Sequence, residues 1–433
     1  MNDIGIAFTV FASAMLLMLP RRLAAMPLLL GATYMTAGQV LAIGPAHFTV
    51  IRILVAVGLF RMFLRNEHLA HGIQPLDRLL VWWSVILLCT GAFHMNGTLL
   101  YRFGLVWTEL GCYILLRAFL VDADDVRRLF AFVCASLVPI ALLMLIEKST
   151  GKNPFGELGG VNEFASLRYG QIRASGPFVH PILAGTVGAI CLGMALYLAV
   201  FRGRFGHIGI LAGIAMLYAC SSSGPDLMAI AIVLGLLAWP LRMHLAGIRW
   251  LAIVAMVVLQ AVMHDPFYFV MAKIDITGGS QSWHRAALIR SAIEHLDEWW
   301  LVGTDHTRHW MPTGIHANAF HTDITNHILM MGVMGGLPLM LIFVLILRTA
   351  FRSVGSSLRS HSASPTSTQV LIWTLGVMLF GLFVDFFGIS LFDQSIVFLY
   401  LVLAAIGAFS MPQEYPTAVF QASLVGRTAT GTH

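Results

Sequence analysis

The chain alternates long apolar stretches with short polar connections, and the apolar stretches favour no single face. Residues 228–241 and 396–409 are hydrophobic on every side, the pattern of a helix set in apolar surroundings rather than of an amphipathic helix on a soluble core. A membrane β-barrel would instead alternate apolar and polar residues in segments of about ten. A crossing needs about 20 apolar residues. Spans are therefore predicted near residues 4–19, 23–43, 48–64, 79–96, 99–120, 128–147, 181–200, 206–222, 225–241, 248–268, 324–347, 369–391 and 393–411. The first is short enough to be interfacial, so the total is about 12 (range 11–13). The fold class expected is an all-α polytopic membrane protein, because only helices or closed barrels satisfy every backbone polar group in lipid. The N-terminus lacks a basic region followed by a cleavage site, so no removable leader is expected.

Composition agrees. Of 433 residues, 58% are hydrophobic and 11% charged, against about 25% charged in soluble proteins. Mean hydropathy is +0.81. The net charge of +5 would suggest nucleic acid in a soluble chain. Here its distribution encodes topology, and no nucleic-acid partner is expected. Arg21–Arg22, Arg61 with Arg65 and Arg78, Arg117 with Arg127–Arg128, Arg202 with Arg204, Arg242 with Arg249, and Arg348 with Arg352 and Arg359 fall on alternate connections. By the positive-inside rule these face the cytoplasm, as does the tail. The five cysteines stand singly in apolar segments with no paired spacing, so neither a disulfide framework nor a cysteine metal site is predicted.

Two long connections on the opposite side break the pattern. The organisation read from them is N-terminal transmembrane helices over 1–147, a first external loop over 148–180, central helices over 181–264, a second external loop over 265–323 containing an amphipathic helix, C-terminal helices over 324–411 and a cytoplasmic tail over 412–433. The two loops hold every lysine (Lys148, Lys152, Lys273) together with Arg168, Arg173, Arg285, Arg290 and Arg308. Long loops escape the positive-inside rule, so these charges are either simply solvated or line a cavity for an anionic substrate. Residues 351–367 read as a polar, Ser-rich linker. The acidic run 122–125 opens a helix and reads as an N-cap cluster rather than a metal motif.

Three features carry candidate chemistry. His321 precedes the span at 324–347, whose N-terminus would hold it at an external mouth, where an imidazole titrates near neutrality and can take a proton from a hydroxyl. Such a helix end also offers unpaired N–H groups to an anion. Asp323 and His327, four apart, would with His321 alternatively form a zinc set. The helix at 282–303 has Ser282 at its N-cap position and an apolar stripe of Ala287, Leu288, Ala292 and Leu296. Arg285 in its first turn opposes the helix dipole and suits a phosphate, which guanidinium grips as a fork; Arg290 follows one turn on. The bland alternative is a helix lying on headgroups. Finally, residues 173–186 place Arg173 just above a span that His180 and Pro181 open. Inside the spans Arg52, Glu109 and Asp385 are expected to make polar pairs of mostly structural kind.

Taken together, these stretches resemble the O-antigen ligase and polymerase superfamily. His321-Thr322, nine further residues, then Gly332 and Gly335 is similar to the signature of a histidine followed by Asn, Ser or Gln, with Thr322 a departure. Residues 153–186, 220–235 and 277–303 are similar, in order, to the other family blocks. Ser222-Ser223-Gly224 lacks the arginine the second block usually carries, whereas the third keeps Arg285. The resemblance covers roughly residues 145–345. It implies a metal-independent, inverting membrane glycosyltransferase with no cofactor. Its donor would be a glycan on undecaprenyl diphosphate at the periplasmic face of the bacterial inner membrane. The acceptor would be either a lipid-linked repeat unit, in a polymerase of exopolysaccharide or O-antigen, or the lipid A core, in a ligase; the first loop favours the polymerase. A chain-length regulator is a possible further partner. His321 matches the expected catalytic base, and Arg173 and Arg285 match the positions expected to hold the diphosphate. Arg168, Arg290, Lys273, His180, Asp323 and His327 are secondary candidates by charge and location. A polyprenyl-glycan or solute transporter is the rival class; it would call for charges deep in several helices and for internal repeats.

Overall fold

A computed structural model describes residues 1–95, 97–266, 268–270, 282–315 and 317–410. It is 72% helical. Fifteen helices are described: α1 (Asp3–Met18), α2 (Ala25–Tyr34), α3 (Val50–Arg65), α4 (Pro75–Gly91), α5 (Thr98–Phe119), α6 (Ala123–Thr150), α7 (Pro181–Arg202), α8 (Arg204–Cys220), α9 (Ser223–Leu237), α10 (Leu245–Val262), α11 (Ser282–Glu294), α12 (Leu296–Trp299), α13 (His327–Ser360), α14 (Thr366–Asp385) and α15 (Ile396–Gly407). Two antiparallel hairpins join them, β1 (Val40–Ile43) with β2 (Ala46–Thr49), and β3 (Ser166–Arg168) with β4 (Gln171–Arg173).

Every predicted span contains a helix. Five of them (α5, α6, α7, α13 and α14) are long and apolar enough to cross a membrane. Two boundaries move substantially. The segment 23–43 is helical only to Tyr34, and its apolar remainder turns into the β1–β2 hairpin. Hydropathy cannot separate these outcomes, because it reads only the apolar character of the stretch, and in the hairpin Leu41 and Ile43 are exposed. The linker at 351–367 is helical to Ser360 as a continuation of α13.

Local signals explain several ends. Asp122 caps α6 by accepting from the N–H groups of Asp124 (2.9 Å) and Asp125 (2.8 Å), which is the N-cap reading of the acidic run. His180 Nδ1 accepts from Ile182 N–H at 3.2 Å, with Pro181 opening α7. Helix α7 runs through the centre of the bundle and is buried along most of its length. Helix α10, by contrast, exposes Leu251, Val257 and Val262. Such a surface suits a lipid boundary and would not suit water.

The connections sort to two ends. At one, Arg21 donates to Ala118 O and His68 O, Arg117 to Ala70 O, and Arg127 to Thr368 Oγ1. At the other, the N-terminal ammonium donates to Val40 O, Gln39 to Leu158 O, Gln394 to Pro177 O, and Met95 N–H to Asp305. The alternation of arginine-rich and arginine-poor connections in the sequence is thus a physical division of the molecule.

Arg52, Glu109 and Asp385 bond to neutral partners instead of to one another. Glu109 accepts from Tyr400 Oη at 2.5 Å, Asp385 from Thr186 Oγ1 at 2.6 Å, and Arg52 donates to Thr108 Oγ1 at 3.2 Å. All five cysteines are free thiols.

Candidate functional site

The arginine-poor end carries a second, smaller core. Leu288 and Ala292 of α11, Trp299 of α12, Trp310, Met311 and Ile324 pack on Leu329 and Val333 of α13. Helix α11 is therefore docked rather than lying free on a surface. Its buried face is Ala286, Leu288 and Ala292, while Leu296 is exposed and belongs to α12. Each large side chain buried there contributes about 1.5–3 kcal/mol.

Helix α13 is broken where the glycines stand. Gly335 and Gly336 leave helical geometry, and Gly336 has φ +73°. A break strands backbone groups that must find partners. The segment after α12 supplies them: Leu337 N–H donates to Trp300 O at 2.7 Å, and Thr304 N–H to Val333 O at 2.9 Å. Gly332 gives its space to the Trp299 ring, which an added Cβ would meet at 2.6 Å. The glycines thus seat the segment 299–304 on α13, where the sequence suggested only close helix packing.

His321 is not at the mouth of α13. The helix starts at His327, capped by Asn326, whose side chain accepts from Leu329 N–H at 2.9 Å. The N–H of His327 is likewise taken, by Phe386 O. The expected offer of helix N–H groups to an anion is therefore reduced, since the chain itself satisfies those of His327 and Leu329. His321 instead stands half-buried on an irregular strip. Its N–H is held by Asn318 Oδ1 (2.8 Å) and its Nδ1 lies 3.2 Å from Thr307 Oγ1. Thr322, the departure from the family signature, is fully buried and donates its hydroxyl to Ile315 O at 2.8 Å. Desolvation lowers the pKa of His321 from its ordinary 6.5, with Asp305 pulling the other way.

Around His321 stand residues that sequence reasoning did not single out. His94 Nδ1 pairs with Asp305 at 2.8 Å, and its Nε2 lies 2.8 Å from Val302 O. Asp305 is held below the usual carboxyl range by His94 and the Met95 N–H, which outweigh its desolvation. Both His94 and Asp305 act on His321 electrostatically. The hint was a histidine in the otherwise uncharged connection at 94–97. Beside this group an open cleft of about 580 Å³ is lined by His306, Arg308, His309, Pro312, Ala319 and Phe320.

The arginines come from two stretches, the β3–β4 hairpin and α11. In the β3–β4 hairpin, Arg168 lies opposite Gln171 and Ser166 opposite Arg173. Paired and alternate residues of a ladder share one face, so Arg168 and Arg173 project together. Arg173 is buried, donating to Cys220 O (3.3 Å) and Ser222 Oγ. The turn between α8 and α9 thus contributes a hydroxyl to Arg173. Desolvation and the like charges of Arg168 and Arg285 push Arg173 down to about 10. Arg285 approaches from α11, its guanidinium carbon 3.3 Å from where a Cβ on Gly388 would sit. Its neighbour His284 reaches Asp323 O at 2.9 Å. Asp323, raised by desolvation, feels His284, Arg168 and Arg285. Desolvation, Arg173 and Arg168 push His180 down to about 4, which leaves it neutral.

Arg168, Arg173, Arg285, Asp323 and His180 therefore act on one another electrostatically, whereas the groups that act on His321 are Asp305, His306 and His94. Two secondary candidates fall elsewhere. Arg290 pairs with Asp265 at 3.4 Å and stacks on Phe269 at 4.2 Å. His327 is buried, its Nδ1 accepting from Leu391 N–H and its ring packed on Phe343 and Phe386. That burial removes His327 from any zinc set with His321 and Asp323. Lys273 lies outside the described residues. No family model and no curated protein matches this chain. Fold and surface define a helical protein with several helices able to cross a membrane.

Proposed function

We propose that this chain is an inverting, metal-independent glycosyltransferase of about 12 spans in the bacterial inner membrane, working at the periplasmic face. It transfers an undecaprenyl-diphosphate-linked glycan to a sugar hydroxyl, polymerising exopolysaccharide or O-antigen repeat units. The observation that carries this reading is the gathering of Arg168, Arg173 and Arg285 from separate segments. Like charges held together disfavour one another, and a polyanion such as a diphosphate relieves that cost.

His321 Nε2 takes the proton of the acceptor hydroxyl as its oxygen attacks the anomeric carbon. The bond from that carbon to the diphosphate breaks, its electron pair staying on the phosphate oxygen, and undecaprenyl diphosphate leaves. The guanidinium groups stabilise the charge that develops there, a contribution of several kcal/mol in a dry site. His321 then returns its proton to water. The base role calls for the tautomer in which Nδ1–H donates to Thr307 Oγ1, leaving the Nε2 lone pair free. The cleft at Phe320 suits the acceptor.

The test is donor binding and transfer by the purified protein in nanodiscs. Arg173→Ala and Arg285→Ala each should lower turnover about 10²–10³-fold and weaken donor binding. Unchanged donor affinity in both would refute the diphosphate role. Supplying a lipid-linked repeat unit or lipid A core as acceptor separates polymerase from ligase.

A further inference from the structure

Helix α12 and the turn at Arg308–Trp310 meet through a group of side chains to which the proposed reaction assigns no chemical step, although His309 also lines the cleft at Phe320. Within it, His295, Glu298 and His309 each offer a ligand atom, and these atoms lie within 4.8 Å of one another. His309 Nε2 is 2.9 Å from Glu298 Oε2. Ligands of a tetrahedral ion at ~2.0–2.1 Å stand ~3.3 Å apart, so small rotations close the set.

The surroundings orient these groups as a metal site requires. A ligating imidazole commonly donates its other N–H to a carbonyl or carboxylate. His295 Nδ1 lies 2.8 Å from Ser291 O, which leaves its Nε2 lone pair outward. Trp310 Nε1 donates to Glu298 Oε2 at 2.9 Å, fixing the carboxylate plane, while Glu298 Oε1 remains 3.0 Å from His309 Nε2. The Trp310 ring also stacks on His295, with centroids 5.9 Å apart and planes at 23°.

We infer that His295, Glu298 and His309 bind a divalent metal ion of the zinc class, with water completing its coordination. Two imidazoles and one carboxylate suit Zn²⁺, and oxygen-seeking ions such as Mg²⁺ poorly. The ion ties α12 to the turn at 308–310. It thereby braces the intervening stretch that supplies Asp305 and Thr307 to His321. The site rests on its own ligands and stands whether or not the chain is a transferase.

The experiment is zinc binding by the full chain in detergent, stripped with chelator and titrated against a competing zinc dye, with bound metal counted by mass spectrometry. The wild type should hold one equivalent that His295→Gln/His309→Gln lacks, and Glu298→Gln should bind that equivalent at least tenfold more weakly. His321→Ala serves as a control that keeps it. Glutamine at 298 can still accept from Trp310, so its effect reads metal ligation on an intact fold, checked by thermal unfolding. The inference is overturned if the wild type holds no such equivalent. It is equally overturned if the variants match the wild type, since the chain's 17 histidines would then account for the zinc.

Discussion

Desolvation sets the working range of His321, because partial burial penalises imidazolium and lowers its pKa below 6.5. The free base therefore persists to lower pH than for an exposed histidine, and the proposed transfer should lose rate only as pH falls through a value below 6.5. A limb of kcat/KM centred above 6.5 would contradict this. Thr307→Val removes the acceptor for Nδ1–H, and turnover should fall about tenfold, the scale of one lost hydrogen bond. His180 is governed by the same physics with a larger shift, to about 4. As a neutral cap it gives its lone pair to Ile182 and cannot act as a cation beside the arginines.

At the level of elements, the joint between segment 299–304 and α13 decides whether Asp305 and Thr307 reach His321. Gly303 has φ +91°, and a Cβ there would come 2.2 Å from Val333 O. Gly303→Ala should therefore destabilise the protein by roughly 1–3 kcal/mol, read as a lower unfolding temperature in detergent. An unchanged temperature would show that the joint is slack. This joint was only half legible in the chain. Gly332 and Gly335 announced close approach, yet the break at Gly336 and its repair by Trp300 and Thr304 depend on contacts that periodicity cannot carry. The His94–Asp305 pair, 211 residues apart in sequence, was silent for the same reason. The N-caps of α6 and α7 were legible because Asp122, His180 and Pro181 act within one turn. The β1–β2 hairpin was missed because residues 35–43 are as apolar as a helix interior.

For the whole molecule, the arginine-rich and arginine-poor ends predict sidedness. In a cysteine-free background, Leu167→Cys on the exposed edge of β3 should react with an impermeant maleimide on spheroplasts, and Ser356→Cys near the end of α13 only after lysis. The reverse pattern would invert the topology and place the arginine group in the cytoplasm. The central claim is that a proton acceptor and a guanidinium group act together at the arginine-poor end. Its most direct measurement is single-turnover glycan transfer by the reconstituted protein carrying His321→Ala. The account predicts a rate lower by about 10²–10⁴, with lipid-diphosphate donor still bound. Transfer at the wild-type rate would contradict it.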